Sequence, residues 1–330
     1  MNWKNKKVLI TGAGGFIGSH LAEKMVCMGA KTRIFIRYNS RNDWGMIDLM
    51  PCKIRDRIEV VAGDLKDADA VRKAVKGMDI VFHLGALIGI PYSYVHPRDV
   101  VETNIMGTFN VLDACREFNV EKVVHTSTSE VYGTAQYVPI DEKHPLQGQS
   151  PYSASKIGAD KIAESFYRSY DLPVATIRPF NTYGPRQSAR AIIPTIITQT
   201  LERDRIVILG SLSPTRDFTY VDDVVNGFIR TAECKKSVGE VINIGSGFEI
   251  SIGELAKKII KIMGKKMKII SEPERIRPVH SEVERLLADI SKARKLFKWE
   301  PVISLEEGLK RTVEWVKREK ERYKTKIYNV

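Results

Sequence analysis

The chain has 330 residues, a mass of 37.3 kDa and 43% hydrophobic residues, an ordinary composition for a globular protein with one large α/β domain and a smaller one. Its net charge is +12, but Lys and Arg alternate with acids along helical stretches, which indicates solvated helix faces and argues against nucleic acid as a partner. No apolar stretch approaches the roughly 20 residues of a membrane span, and scattered Cys and His residues show no disulfide or metal spacing, so we expect a cytoplasmic protein with neither a metal nor a membrane partner.

A glycine-rich turn follows the first predicted strand. The apolar run VLI at 8–10 leads into TGAGGFIG at 11–18, and an amphipathic helix is expected over 19–28. Gly12, Gly15 and Gly18 have the spacing GxxGxxG. These glycines permit a tight turn and close approach of the backbone to a pyrophosphate, which the helix N-terminus then faces. The sequence therefore predicts a dinucleotide site.

The end of the second predicted strand indicates which dinucleotide is bound. A site for NAD usually places Asp or Glu there for the ribose 2′-hydroxyl, whereas this chain has RYNSR at 37–41. Arg37 and Arg41, with Asn39 and Ser40 between them, suit a 2′-phosphate. NADP(H) is therefore favoured and NAD(H) is the alternative, in which both arginines are solvated surface cations.

Two later segments are expected to line the cofactor. Asp64 follows the third strand and is placed to accept a hydrogen bond from the adenine amine, with Leu65 beside it. The fourth strand ends in HLGA at 83–86, where small residues let the backbone pass close to the cofactor. Leu84 and Ala86 belong to this segment.

Strands alternate with helical patterns to about residue 180. Helices are expected over 68–75, 100–118 and 153–170, between strands that include residues 8, 32, 59, 80, 123 and 174. This βαβ rhythm predicts a doubly wound parallel sheet of the Rossmann type. We expect an NAD(P)-binding domain over 1–180, with 216–245 returning to it, and a smaller α/β lobe over 181–330 that holds the substrate.

Groups suited to proton transfer follow the later strands. The segment STSEVYG at 127–133 comes after a strand, at the sheet edge where open α/β sheets bind ligands. Thr128 is suited to hydrogen-bond a substrate hydroxyl and Glu130 to act as a base. The alternative is a Ser/Thr-rich loop with a solvated Glu.

A tyrosine and a lysine four residues apart begin the helix after this loop. Ser150 can cap the helix and proline fits its first turn. The spacing places Tyr152 and Lys156 on one helix face. We expect the ammonium to lower the pKa of the phenol and make it a usable base.

Taken together, these motifs resemble the extended short-chain dehydrogenases, in particular the NAD(P)-dependent nucleotide-sugar epimerases and dehydratases. The resemblance covers nearly the whole chain. Its motifs are TGAGGFIG at 11–18, Asp64, HLGA at 83–86, Asn104 with Gly107, STSEVYG at 127–133, YSASK at 152–156, RPFNTYGPR at 178–186, RDFTYVDDV at 216–224 and NIGSG at 243–247.

The resemblance implies roles for individual residues. It implies a catalytic triad of Thr128, Tyr152 and Lys156, and a nucleotide-diphosphate sugar as the substrate. The implied diphosphate contacts are Asn181 and Arg216, assisted by Arg277. The implied cofactor contacts are Gly12, Gly15, Phe16, Ile17, Gly18, Arg37, Asn39, Ser40, Arg41, Asp64, Leu65, Leu84, Ala86, Asn104, Tyr152 and Lys156.

The reaction type depends on Ser129 and Glu130. Epimerases of the family generally lack an acid at the position of Glu130, and the 4,6-dehydratases use an Asp-Glu pair where this chain has Ser-Glu. The segments 85–94 and 186–194 resemble those of the N-acetylglucosamine nucleotide 4,6-dehydratases of the legionaminic acid pathway. A 4,6-dehydratase is therefore favoured, and the alternatives are a UDP-glucuronate-type decarboxylase, which the Ser-Glu pair also resembles, and a 4-epimerase.

Two of the predicted helices carry more apolar residues than one sheet face needs. Family members pair these helices into a four-helix bundle, so the resemblance implies a homodimer. The residues concerned are Ile105, Phe109, Leu112, Ile162, Phe166 and Tyr170.

Overall fold

The computed structural model describes residues 1–203 and 205–323. The strands are β1 (Lys7–Thr11), β2 (Lys31–Arg37), β3 (Ile58–Gly63), β4 (Ile80–His83), β5 (Lys122–Thr126), β6 (Val174–Pro179), β7 (Asn181–Tyr183), β8 (Ile206–Leu209), β9 (Thr215–Tyr220), β10 (Val241–Ile244), β11 (Glu249–Ser251) and β12 (Lys268–Ser271). The helices are α1 (Phe16–Cys27), α2 (Cys52–Arg55), α3 (Ala68–Val75), α4 (Ile90–Val95), α5 (Pro97–Val101), α6 (Gly107–Glu117), α7 (Pro151–Tyr170), α8 (Ile192–Glu202), α9 (Val221–Glu233), α10 (Ile252–Ile262), α11 (Ser291–Phe297) and α12 (Leu305–Arg318).

The main sheet has the parallel strand order β10-β6-β5-β4-β1-β2-β3. Its inner strands β4 and β6 are buried along their whole length, which is typical of parallel strands covered by helices on both faces. The strand order reverses between β1 and β4, where sheets of this kind bind ligands. The prediction of a doubly wound Rossmann sheet is confirmed.

The part of the chain after residue 180 adds a strand to the main sheet, forms two smaller sheets and shares the hydrophobic core. Strand β10 pairs with β6 at the edge of the main sheet, and α9 packs against α1. Strands β11, β9 and β7 form a second, three-stranded sheet, and β12 pairs with β8. One cluster of buried apolar residues runs from Ile10 through Phe228 to Leu255 and Trp299. The smaller α/β lobe is therefore joined to the main sheet by a common core.

The helix predicted over 100–118 has a different form in the structure. It starts earlier, at Pro97, and a π turn at Glu102–Met106 separates α5 from α6. A π turn widens a helix locally and is often found at functional sites. Here it contains Asn104, whose side chain bonds both backbone groups of Leu87.

Within the described residues, no helix is both long enough and apolar enough to cross a membrane.

Two glycines at the starts of helices differ in the space around them, which gives a test of packing. A Cβ atom on Gly18 in α1 would lie 2.5 Å from the carbonyl oxygen of Gly12, whereas a Cβ on Gly253 in α10 would meet nothing nearer than 3.5 Å. We expect Gly18→Ala to lower the free energy of unfolding by about 1–3 kcal/mol through overpacking. Gly253→Ala is the control and should be neutral or stabilising by up to about 1 kcal/mol.

The unfolding of both variants is measured in denaturant without cofactor. Equal stability of Gly18→Ala and the wild type would contradict the close approach of α1 to the turn after β1.

Candidate active site

The glycine-rich turn after β1 lies close to the backbone that follows β4. Gly12 has φ +70°, and a Cβ there would lie 2.7 Å from the backbone nitrogen of Gly85. Gly15 caps α1 without a side-chain hydrogen bond, so the amides of the first turn, including Phe16 and Ile17, have no acceptor in the helix. The tight turn and these free donors fit the pyrophosphate of a dinucleotide.

Charged side chains surround the end of β2. The Arg37 side chain is 67% exposed, and its Nε lies 3.9 Å from Oδ2 of Asp64. Arg41 is 82% exposed and lies near Asp43. Asn39 shapes the loop between them, because its Oδ1 accepts hydrogen bonds from the amides of Arg41 and Asp43. Both guanidinium groups are thus solvent-accessible, and that of Arg37 lies beside the carboxylate predicted to contact adenine.

Hydrogen bonds from the π turn fix the segment after β4. Oδ1 of Asn104 accepts a hydrogen bond from the amide of Leu87 at 2.8 Å, and its Nδ2 donates to the carbonyl of Leu87 and to Oγ of Ser155. Leu65 lies against Gly85 on the other side. Asn104 is therefore fully buried and fixes the stretch that contains Leu84 and Ala86.

Helix α7 carries the predicted Tyr–Lys pair at a well-formed N-terminus. Ser150 and Ser153 form a reciprocal capping box. Tyr152 and Lys156 are both buried, and Nζ of Lys156 donates a hydrogen bond to the carbonyl oxygen of Thr126 at 2.7 Å. The lysine therefore connects α7 to the carboxyl end of β5.

The pKa of Tyr152 is raised in this structure, whereas the sequence predicted a phenol with a lowered pKa. Burial raises the pKa of the Tyr152 phenol above its usual range, and the charges of Glu130 and Asp160 add to the increase, while a hydrogen bond with Thr128 opposes it. Burial also lowers the pKa of Lys156 to about 8, against the effect of Asp160.

The loop after β5 forms a short 3-10 turn over Ser129–Tyr132. Oγ1 of Thr128 caps this turn by accepting a hydrogen bond from the amide of Glu130 at 3.2 Å. Ser129 is buried, whereas Glu130 is partly exposed. The Glu130 carboxylate makes no hydrogen bond or ion pair with any residue of 1–203 or 205–323, and its charge acts on Tyr152 and Arg216.

Two of the three residues predicted to hold a diphosphate, Arg216 and Arg277, meet at the carboxylate of Glu282. Nη2 of Arg216 donates a hydrogen bond to Oε1 of Glu282 at 3.0 Å, and Nη1 of Arg277 lies 3.7 Å from the same oxygen. Asn181 pairs across β7 and β9 with Phe218, which places it on the same sheet face as Arg216. Its Oδ1 is buried without a hydrogen-bond partner.

Sequence reasoning missed Glu282 and the role of its charge. Its carboxylate occupies the space between two arginines that a substrate diphosphate is predicted to use. An acid five positions after Arg277 was the available signal, but nothing local indicates that it returns to Arg216. Among the described residues, no cluster of three or more His, Cys, Asp or Glu side chains is arranged to hold a metal ion.

Comparisons with known proteins identify the family of the chain. Residues 9–312 match the family described as GDP-mannose 4,6 dehydratase. The chain is 33% identical to the UDP-glucose 4-epimerase of Mycolicibacterium smegmatis, over 94% of this chain and 98% of that protein.

Solved structures extend the similarity. An epimerase of Methanothermobacter thermautotrophicus is 30% identical with a TM-score of 0.89, over 97% of this chain and 95% of the other. A dTDP-glucose 4,6-dehydratase of Streptomyces venezuelae, solved with NAD, is 27% identical with a TM-score of 0.84, over 96% and 98%. The chain therefore belongs to the extended short-chain dehydrogenases, in the family of NAD-dependent nucleotide-sugar epimerases and dehydratases.

Proposed function

We propose that the protein is a nucleotide-sugar 4,6-dehydratase that acts on an N-acetylglucosamine nucleotide. The observation that carries this proposal is the Glu130 carboxylate. It has no partner among the described residues, and its charge acts on both the buried phenol of Tyr152 and Arg216. A simple 4-epimerase has no use for a free base at this position.

The chain's own residues divide the proton transfers between them. Thr128 hydrogen-bonds the C4 hydroxyl of the sugar, and Tyr152 takes its proton as the phenolate. The positive charge of Lys156 favours this phenolate and opposes the effect of burial on the Tyr152 pKa. Glu130 removes the C5 proton once C4 is a ketone, and water leaves from C6. A nicotinamide dinucleotide held at the glycine-rich turn would accept hydride and later return it, so the reaction would have no net redox change.

The departing 6-hydroxyl needs an acid. Dehydratases of the family have Asp where this chain has Ser129, and the hydroxyl of Ser129 is buried. In this proposal Glu130, protonated by the C5 proton, returns that proton to the leaving hydroxyl, and solvent supplies the proton that C5 regains when hydride returns to C6. The second candidate is a 4-epimerase, which is favoured by the epimerase relatives that match nearly the whole chain.

Replacing Glu130 separates the two candidates. We expect Glu130→Gln to retain the oxidation at C4 and to lose elimination by a factor of about 10²–10⁴, because an amide cannot accept the C5 proton. The measurement follows a UDP-, GDP- or CDP-linked N-acetylglucosamine in deuterium oxide. The wild type should give a 4-keto product that is lighter by one water and carries deuterium at C5.

Tyr152→Phe is the matched control, because it should abolish both steps. Interconversion of C4 epimers without loss of water, unchanged in Glu130→Gln, would favour the epimerase. Release of CO₂ from a uronic acid nucleotide, with the N-acetylhexosamine nucleotides untouched, would favour the decarboxylase instead.

We also propose that the cofactor is NADP(H), in preference to NAD(H). The Streptomyces relative was solved with NAD. In this chain, however, the exposed guanidinium groups of Arg37 and Arg41 stand at the end of β2, where a 2′-phosphate would lie.

The cofactor proposal is tested by calorimetric titration of both dinucleotides. We expect NADP(H) to bind at least about tenfold more tightly than NAD(H), and Arg37→Ala to remove this difference by weakening NADP(H) alone. Arg168→Ala, an exposed arginine of α7, is the control. Tighter binding of NAD(H) to the wild type would refute the preference.

We further propose a homodimer formed through α6 and α7. Of the residues first assigned to this face, Leu112 and Phe166 are instead buried. They belong to a second cluster of buried apolar residues, which includes Leu9, Val81 and Val123 of the main sheet. The apolar side chains exposed on these helices and the adjoining turns are Val101, Met106, Phe109 and Tyr170.

A charge on this face should prevent pairing. We expect the wild type to have twice the chain mass in light scattering and Phe109→Asp to have the mass of one chain, because a carboxylate would be buried without a partner. Phe248→Asp is the control, since Phe248 is also exposed but lies on the turn before β11. A wild type of single-chain mass at micromolar concentration would contradict the proposal.

A further inference from the structure

Asp160 lies at the centre of a buried hydrogen-bonded cluster behind the Tyr–Lys pair. Its Oδ1 accepts a hydrogen bond from Nε2 of His125 at 3.0 Å. Its Oδ2 accepts hydrogen bonds from Oγ of Ser127 at 2.7 Å and from Nη2 of Arg178 at 2.9 Å. The side chains of Asp160 and Arg178 are only 5% and 4% exposed. The carboxylate is therefore held from three sides and has little freedom to move.

This cluster connects the two segments that carry the reacting groups. Asp160 belongs to α7, one turn beyond Lys156 and two turns beyond Tyr152. Ser127 immediately precedes Thr128, which caps the 3-10 turn Ser129–Tyr132 in the loop after β5. The hydrogen bond between Asp160 and Ser127 thus links the helix to the loop at a point one residue away from Thr128.

Arg178 is also hydrogen-bonded to a chain of further residues. Nη1 of Arg178 donates a hydrogen bond to the phenol oxygen of Tyr132 at 3.0 Å, and this phenol donates to Oδ1 of Asn243 at 2.7 Å. Asn243 in turn donates through Nδ2 to the carbonyl of Ile140. The guanidinium that balances Asp160 is therefore fixed by β10 and by the loop before α7.

Asp160 carries its charge in this buried position. Burial acts to raise the pKa of its carboxyl, but the hydrogen bond from His125 and the charges of Arg178 and Lys156 outweigh it and lower the pKa to about 2. Burial keeps the pKa of His125 below its ordinary value, so this imidazole is neutral at pH 7. The carboxylate is then a permanent negative charge one helical turn from the Lys156 ammonium.

The pKa of Lys156 depends on the charge of Asp160. Burial lowers its pKa to about 8, and Asp160 is the charge that opposes this effect. Several other ionisable groups surround Lys156 and Asp160. They are Tyr152 on α7, His83 on β4, His125 on β5 and Arg178 on β6.

We propose that Asp160 is a positioning residue for the reaction: it keeps the Lys156 ammonium charged beside Tyr152, and it holds the Thr128 loop against α7. The proposal rests on the proposed function only in taking Tyr152 and Lys156 as the reacting pair. Asp160 itself does not touch substrate. Its effect reaches the substrate through the charge of Lys156 and through Ser127.

The charge is tested by titrating Lys156 directly, in protein without substrate. Lysine labelled with ¹³C at Cε is followed by NMR from pH 6 to 11, and the Lys156 signal is identified by its loss in Lys156→Met. We expect a midpoint near 8 in the wild type and a midpoint lower by about one unit or more in Asp160→Asn, because removal of a nearby opposite charge favours the neutral amine.

Two further variants serve as controls for this titration. Asp160→Glu keeps the charge and should titrate close to the wild type. Tyr132→Phe disturbs the same cluster without removing the carboxylate and should also leave the midpoint in place. An equal midpoint in the wild type and Asp160→Asn overturns this part of the proposal, whatever reaction the protein catalyses.

The link to the loop is tested by Ser127→Ala, which leaves every buried charge in place and so is informative even where Asp160→Asn does not fold. We expect kcat to fall about tenfold to a hundredfold with KM unchanged, because the loop is no longer fixed relative to α7. Ser165→Ala, an exposed serine of α7, is the control. Wild-type kcat in Ser127→Ala overturns the positioning role.

These two measurements separate the inference from the proposed function. If the wild type converts none of the nucleotide sugars, the proposed function fails, and the Lys156 titration still decides whether Asp160 maintains the ammonium.

Discussion

The hydrogen bond from Nζ of Lys156 to the carbonyl of Thr126 joins the two elements on which the site is built. Strand β5 ends at Thr126, and the loop that follows carries Thr128 and Glu130, while α7 carries Tyr152. Neither element places these side chains together alone. Because the ammonium is buried and donates to the last residue of the strand, the start of α7 stays at the carboxyl edge of the sheet, where sheets of this kind bind ligands.

Carboxylates and arginines lie close together in the part of the site predicted to hold the substrate. Glu282 pairs with Arg216, Arg277 approaches Glu282 as well, and the charge of Glu130 also acts on Arg216. Two arginines close together in a buried setting would repel each other without an anion between them. Glu282 supplies this anion from within the chain, so a substrate diphosphate has to compete with a carboxylate that is already in place.

The parts of the site that depend on local spacing were readable from the sequence. The glycines of the first turn and the Tyr–Lys pair lie within one helix or one turn, so their geometry follows from helical periodicity and backbone sterics. Long-range contacts were not readable in this way. Glu282 is 66 positions from Arg216, and Ser127 is 33 positions from Asp160, so only the folded chain reveals that they meet. The pKa of Tyr152 was also misjudged, because burial depends on packing that the spacing of two residues does not describe.

The position of β10 has a consequence for how the chain can be divided. This strand comes from Val241–Ile244 and covers β6, whose residues are all buried. A fragment that stops near residue 180 would contain every other strand of the main sheet but would leave β6 as a bare, apolar edge. Such an edge is a template for pairing with other chains. During synthesis the same edge stays open until residue 244 has been made, so truncated or newly made chains should be the form most prone to aggregation.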